Sequence, residues 1–182
     1  MARPFKPRPR AGGLDKCSRI VHSTGMQDKP LQPGQILARG VARHLRRLDF
    51  VSIEEFVPAR GLRVDVFALG PKGEFWVIEC KSSRADYMAD GKWHGYLEWG
   101  DRFFWAVDAA FPTELLPAET GLILADGFDA EILRMGHETR LAPARRKAML
   151  RKFARHAASR LHGWRDPGVS VSCGPVSLRL RP

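Results

Sequence analysis

Two short apolar runs, Arg63 to Leu69 and Glu74 to Ser82, flank the segment Gly70-Pro71-Lys72-Gly73. Apolar runs of this length bounded by Gly and Pro predict strands, and their close spacing predicts a β-hairpin. Pro71-Lys72-Gly73 fits a type I turn closed by a left-handed residue, because Pro presets the first turn dihedral and Gly tolerates positive φ. Gly70 then faces Glu74. The register that follows sets Leu69 opposite Phe75, Phe67 opposite Val77, Asp65 opposite Glu79 and Arg63 opposite Lys81 on one face. Ala68 with Trp76, Val66 with Ile78 and Val64 with Cys80 fall on the other. Both faces are mostly apolar, so the hairpin is expected at the centre of a sheet covered on both sides. A two-residue turn would instead set Asp65 against Ile78 and send Glu79 to the opposite face.

In the first register two carboxylates become cross-strand neighbours, which is destabilising and more so when burial weakens their solvent screening. A divalent cation removes that penalty. Mg²⁺ takes one or two carboxylates together with water and substrate phosphate, and a lysine two residues along the same face reaches the attacking water or the phosphate. Asp65, Glu79 and Lys81 therefore predict a metal-dependent nuclease site. Glu-x-Lys by itself is also a common pattern of solvated strand edges.

The pattern Asp65 with Glu79-x-Lys81 resembles the PD-(D/E)xK nuclease superfamily. A longer stretch resembles the MmcB-like family of bacterial DNA repair proteins: Arg63-Val64-Asp65-Val66, Trp76 through Ser83, then Asp86, Asp90, Lys92-Trp93, Tyr96 and Asp101-Arg102-Phe103. The resemblance implies an α/β, restriction-endonuclease-like core with a central mixed sheet flanked by helices. It also implies a role in DNA repair, with Asp65, Glu79 and Lys81 as the catalytic set. By the same precedent Asp65 and Glu79 would hold Mg²⁺, or Mn²⁺, with the Cys80 carbonyl. A further acidic position expected before the aspartate matches Glu55. A five-residue connection from Pro58 to Leu62 faces Glu55 with Asp65, and a four-residue one selects Glu54 instead. Cys80 stands where an aliphatic residue is more usual, Gly100 replaces a Cys, and Gln35 to Leu48 offers no acidic residue for the first helix.

Net charge is +10, which favours a polyanionic partner such as nucleic acid, though basic balance alone also fits anionic membranes or ribosomal association. The expected partner is damaged or branched DNA, with other repair proteins as further candidates. Cys17, Cys80 and Cys173 are odd in number and widely spaced, so neither a disulfide framework nor a zinc site is expected. A reducing, cytoplasmic and nucleoid-associated setting follows. No apolar run approaches the ~20 residues of a membrane span, and the basic N-terminus lacks the apolar core of a secretory signal.

Three regions are expected: a flexible basic tail over 1–34, a nuclease-like domain over 35–163 and a second tail over 164–182. Residues 1–34 mix Arg and Lys with Pro and Gly and show no apolar periodicity. Gln35 to Leu48 predicts a helix packed through Ile36, Leu37, Val41, Leu45 and Leu48, with Arg39, Arg43, Arg46 and Arg47 outside that stripe. Phe50 to Val57 predicts a strand. Ser83 with Asp86 signals a helix start, and that helix is expected to run to Trp99 although Gly91 and Gly95 weaken it. Those glycines point to close approach of a neighbouring element or of DNA. Strands are expected at Asp101 to Val107, Gly121 to Ala125, Ala130 to Met135 and, late in the chain, around Val169 to Cys173.

Ala144 to Leu161 predicts a helix whose charges are all basic. Arg145, Arg146, Lys147, Arg151, Lys152, Arg155 and Arg160 surround a stripe of Met149, Phe153, Ala157 and Leu161, and the first six of these, together with Lys92, are candidate DNA contacts. A solvated basic face fits the same pattern. Trp93 and Tyr96 read as packing residues, and the six histidines show no metal-site spacing. The functional expectation is a DNA repair endonuclease, a Mg²⁺-dependent hydrolase of phosphodiester bonds. The competing expectation is a non-catalytic DNA-binding repair factor, and a more remote one is an RNA-binding domain.

Overall fold

A computed structural model describes residues 30–167 of the chain. The predicted late strand, the first 29 residues, Cys17 and Cys173 lie outside the described residues. Pro33–Arg47 forms α1, Val51–Phe56 β1, Val64–Leu69 β2, Phe75–Lys81 β3, Arg84–Ala89 α2, Arg102–Val107 β4, Gly121–Ala125 β5, Ala130–Arg134 β6 and Pro143–Arg165 α3. The strands make one mixed sheet in the order β1-β2-β3-β4-β5-β6. Pairing is antiparallel from β1 to β3, parallel from β3 to β5 and antiparallel again into β6. The architecture is thus α/β, a central mixed sheet flanked by helices.

The hairpin adopts the three-residue turn. Gly70 N–H donates to the Glu74 carbonyl at 2.8 Å, Gly73 N–H donates to the Gly70 carbonyl at 3.0 Å, and Gly73 takes a φ of 81°. The pairs Leu69 with Phe75, Ala68 with Trp76, Phe67 with Val77 and Val66 with Ile78 follow from it. With β1 on one side and β4 on the other, β2 and β3 are interior strands, and every residue of β3 is buried.

One sheet face receives α1, whose Leu37, Ala38, Val41 and Leu45 pack on Val66, Ala68, Trp76, Ile78, Cys80 and Phe104. Pro33 occupies the first turn, where its missing N–H costs nothing, so the helix begins two residues before Gln35. Leu48 falls beyond the helix and is exposed, so the predicted stripe ends at Leu45. Close packing demands Gly40: a Cβ there would stand 2.1 Å from the Asp126 carbonyl oxygen. The other face carries a cluster that includes Phe56, Phe67, Phe75, Val77, Phe103 and Trp105, closed by Met149 and Phe153 of α3. Phe67 stacks between Phe56 and Phe75, at centroid separations of 4.5 and 4.9 Å.

Two expectations are corrected. The helix after β3 does not continue to Trp99: α2 stops at Ala89 and the chain resumes as a 3₁₀ helix over Trp93–Trp99. Asp90 ends it, accepting the Lys92 N–H at 3.0 Å on its carboxylate, and α2 buries no residue that would hold the helix longer. Among the described residues nothing lies within 4 Å of a Cβ built on Gly91 and Gly95 makes only an ordinary contact with Leu62, so none of them requires either glycine. In α3 only Met149 and Phe153 are buried, while Ala157 and Leu161 are exposed and Trp164 is 80% exposed. The predicted docking stripe therefore covers only the first half of that helix.

Candidate active site

β3 carries its chemistry at its carboxyl end, where an open α/β sheet leaves a crevice beyond the last strand residues. Asp65, Glu79, Cys80 and Lys81 line a single cavity there of about 700 Å³, together with Glu55 from β1 and Lys92 beyond α2. Gln32 and Gln35 at the start of α1, Arg63, Asp86, Asp90 and Tyr96 add to its polar wall.

At Asp65 the β2–β3 ladder gives way to side-chain bonding. The Cys80 N–H donates to Asp65 Oδ2 at 2.8 Å, and the Asp65 N–H donates to Glu79 Oε1 at 3.3 Å. Each carboxylate thus spends one oxygen on the neighbouring strand. Asp65 Oδ1 and Glu79 Oε2 carry no hydrogen bond among the described residues. Glu79 is only 3% exposed, and burial pushes its carboxyl up to about 9, with the Asp65 charge adding to the shift and Lys81 opposing it. Burial likewise raises Asp65, outweighing the Cys80 N–H and the Lys81 charge.

Lys81 is 6% exposed and has its own acidic partners. Its Nζ lies 2.7 Å from Asp90 Oδ2 and 3.9 Å from Asp86 Oδ1, and 5.8 Å from the centre of the Trp105 ring. Burial disfavours the ammonium, but the Asp90 hydrogen bond and the surrounding carboxylates outweigh it and hold the pKa above the ordinary lysine value. Asp86 is oriented by α2 itself: it accepts the Ser82 N–H at 3.3 Å while its own N–H donates to the Ser83 capping hydroxyl at 3.1 Å. Asp86 and Asp90 are four residues apart in sequence, and the fold turns both to Lys81.

The choice between Glu54 and Glu55 is made by register. Glu54 pairs with Val66 and Phe56 with Val64, which brings Glu55 opposite Asp65. Glu55 has a φ of 53°, breaking strand alternation so that Ile53 and Phe56 both enter the aromatic cluster. Its Oε1 accepts from Gln35 Nε2 at 3.4 Å, whereas Glu54 lines a different groove. Tyr96 donates its hydroxyl to the Arg63 carbonyl at 3.1 Å, so this residue packs and borders the cavity at once.

The cations of α3 lie elsewhere and divide into two sets. Arg146 makes a bidentate ion pair with buried Asp101, at 2.6 and 3.0 Å. Arg145 donates to the Glu98 carbonyl at 2.8 Å and lies over the Trp99 ring, and Lys152 donates to the Pro58 carbonyl at 3.0 Å. Lys147, Arg151 and Arg155 are exposed.

Among the described residues no group of three or more His, Cys, Asp or Glu side chains stands ready to enclose a metal ion. The donor set still fits Mg²⁺, which keeps several waters and needs only one or two protein carboxylates. Among the described residues Asp65 and Glu79 each keep one hard oxygen without another partner, and Cys80 follows Glu79 directly in the chain.

Fold and cavity together define an α/β protein with a lysine-containing acidic cleft at the end of its central strand. The chain belongs to the MmcB-like family of DNA repair proteins, whose family model matches residues 25–168. It is similar to a solved structure, the SPO1766 protein of unknown function from Silicibacter pomeroyi. That protein is 71% identical, with a TM-score of 0.76 over 78% of this chain and 98% of the other. A search of curated proteins found no match. Among the described residues no helix is long and apolar enough to cross a membrane.

Proposed function

We propose that this repair-family protein is a metal-dependent endonuclease of the PD-(D/E)xK type, hydrolysing phosphodiester bonds in DNA. The observation that carries the reading is the convergence of Asp65, Glu79 and Lys81 on one cavity, with one oxygen on each carboxylate unpaired among the described residues. Asp65, Glu79 and the Cys80 carbonyl would hold Mg²⁺ or Mn²⁺, which when bound supplies Lewis-acid stabilisation of the phosphate and a more acidic water. Glu55 would position a water through the face it shares with Asp65. The raised pKa of Lys81 keeps it an ammonium at neutral pH, so its role is to stabilise charge on the phosphate rather than to remove a proton. The start of α1, with Gln35 and Gly34 in the wall, adds the positive end of a helix dipole.

A second reading, a DNA-binding repair factor without cleavage, draws on one observation: Asp90 already neutralises Lys81. Purified protein incubated with branched, flapped, single-stranded and duplex DNA, with Mg²⁺, Mn²⁺ or EDTA, separates the two. The nuclease reading expects metal-dependent cleavage lost in Asp65→Asn and Lys81→Ala. Absence of cleavage on every substrate overturns it in favour of the binding factor, and cleavage insensitive to both substitutions overturns the residue assignment.

A further inference from the structure

Arg39, Arg43 and Arg46 fall at i, i+4 and i+7 of α1 and therefore share a stripe on the helix surface. The fold brings Arg160, from the second half of α3, across from them. The four guanidinium groups line a groove of about 480 Å³ whose wall includes Phe50 and Glu54. Their fixed contacts are mainly with carbonyl oxygens, which orient a cation without neutralising it. Arg39 Nε donates to the Gly127 carbonyl at 2.9 Å, and Arg160 Nη2 donates to the Glu54 carbonyl at 2.6 Å. Arg47, one residue beyond this stripe, turns away to an ion pair with Asp129. None of the four groove arginines has such a carboxylate partner among the described residues. Glu54 is the single acid among the described residues of the groove, and burial favours its neutral form, with the Arg160 charge opposing.

Four like charges converging on one concavity repel one another, and an anion relieves that repulsion. The groove also has a direction. Arg160 is shared with a second depression lined by Lys152, Arg155, His156 and Ser159, which lengthens the positive track along α3. At its other side lies β1, where Glu54 faces the groove and the next residue, Glu55, faces the candidate active site. Guanidinium forks match phosphate oxygens bidentately and are indifferent to base identity.

We propose that the groove formed by Arg39, Arg43, Arg46 and Arg160 binds the phosphodiester backbone of DNA next to the candidate site, so that the nucleic acid crosses the edge strand β1. The inference rests on the DNA-acting reading of that site but not on cleavage there.

The test is equilibrium binding of full-length protein to fluorescein-labelled single-stranded and duplex DNA in EDTA, followed by anisotropy over a range of NaCl concentrations. Arg43→Ala and Arg46→Ala are each expected to weaken duplex binding about fivefold and to reduce the slope of log affinity against log salt by about 0.9. Arg46→Lys, which retains charge without the fork, is expected to fall between. Arg140→Ala, in the loop before α3, removes the same charge outside the groove and is expected to leave the slope within error of wild type. If the Arg43/Arg46 double variant, folded by circular dichroism, binds as well as Arg140→Ala, the groove assignment is wrong. The absence of metal keeps this outcome separate from the nuclease reading: an inactive protein with an intact groove and an active one without it give different results.

Discussion

Lys81 and Asp90 form an ion pair 2.7 Å long at the wall of the candidate site, joining the end of the central strand to the break after α2. Both side chains are largely shielded from water, so neither partner is replaced cheaply by solvent. Asp90→Asn is expected to destabilise the fold by about 2–3 kcal/mol, because a shielded ammonium loses its charged partner. Urea denaturation measures this. The double variant Asp90→Asn/Lys81→Met should cost less than the two single changes added together; strict additivity would show that the pair is not coupled.

Glu79 gives a pH signature. Its carboxyl is held at about 9 in the fold against an ordinary glutamate value of 4.5, so between those limits the native state binds the extra proton. The sign follows directly: the contribution is fully present below about pH 4.5 and is lost as pH rises through about 9. Without divalent metal, the wild type is expected to lose stability from pH 6 to pH 9 more steeply than Glu79→Gln. Asp65, also raised by burial, contributes with the same sign. Melting curves across that range that run parallel for the two proteins would contradict the assignment.

Metal should act against this trend. If Mg²⁺ binds ionised Asp65 and Glu79, the proton must leave, and the gain in melting temperature at millimolar Mg²⁺ is expected to be larger at pH 8.5 than at pH 6. Asp65→Asn should abolish the gain. A gain that persists in that variant would place the ion elsewhere.

Asp101 is structural. It accepts the Phe75 N–H at 2.7 Å and the Leu141 N–H at 2.9 Å while pairing with Arg146, and so ties the start of β3 to the loop before α3. Asp101→Ala is expected to cost about 3–5 kcal/mol, since two amide donors and a guanidinium are left without their acceptor. Arg146→Ala should be milder, because the carboxylate keeps its amide donors. Denaturation midpoints in that order check the assignment.

Glu55 sits in the left-handed region at a φ of 53°. Asn tolerates that conformation and Val does not, so Glu55→Asn is expected to stay within about 0.5 kcal/mol of wild type while Glu55→Val loses about 1–3 kcal/mol. Equal thermal stabilities of the two variants would show that the backbone relaxes freely there.

Much of the centre of this fold is written locally. Pro71 and Gly73 specify the turn, the turn sets the register, and the register brings Asp65 to Glu79, because each step depends on residues close in sequence. Period alone likewise marks α1 and the arginine stripe on its outer side. Charge runs are less informative: in α3, Arg146 is consumed by Asp101 while Lys147 beside it is exposed, and nothing in the local sequence distinguishes them.

What the chain alone determined is the hairpin, its two acids and its lysine, since backbone geometry and alternation are short-range properties. The tertiary structure decided the partners. It broke the second helix so that Asp90 reaches Lys81, kinked β1 so that Glu55 rather than Glu54 enters the cavity, and carried Arg160 across to the α1 arginines. Those choices depend on segments distant in sequence packing against one sheet, where burial and charge pairing override local propensity.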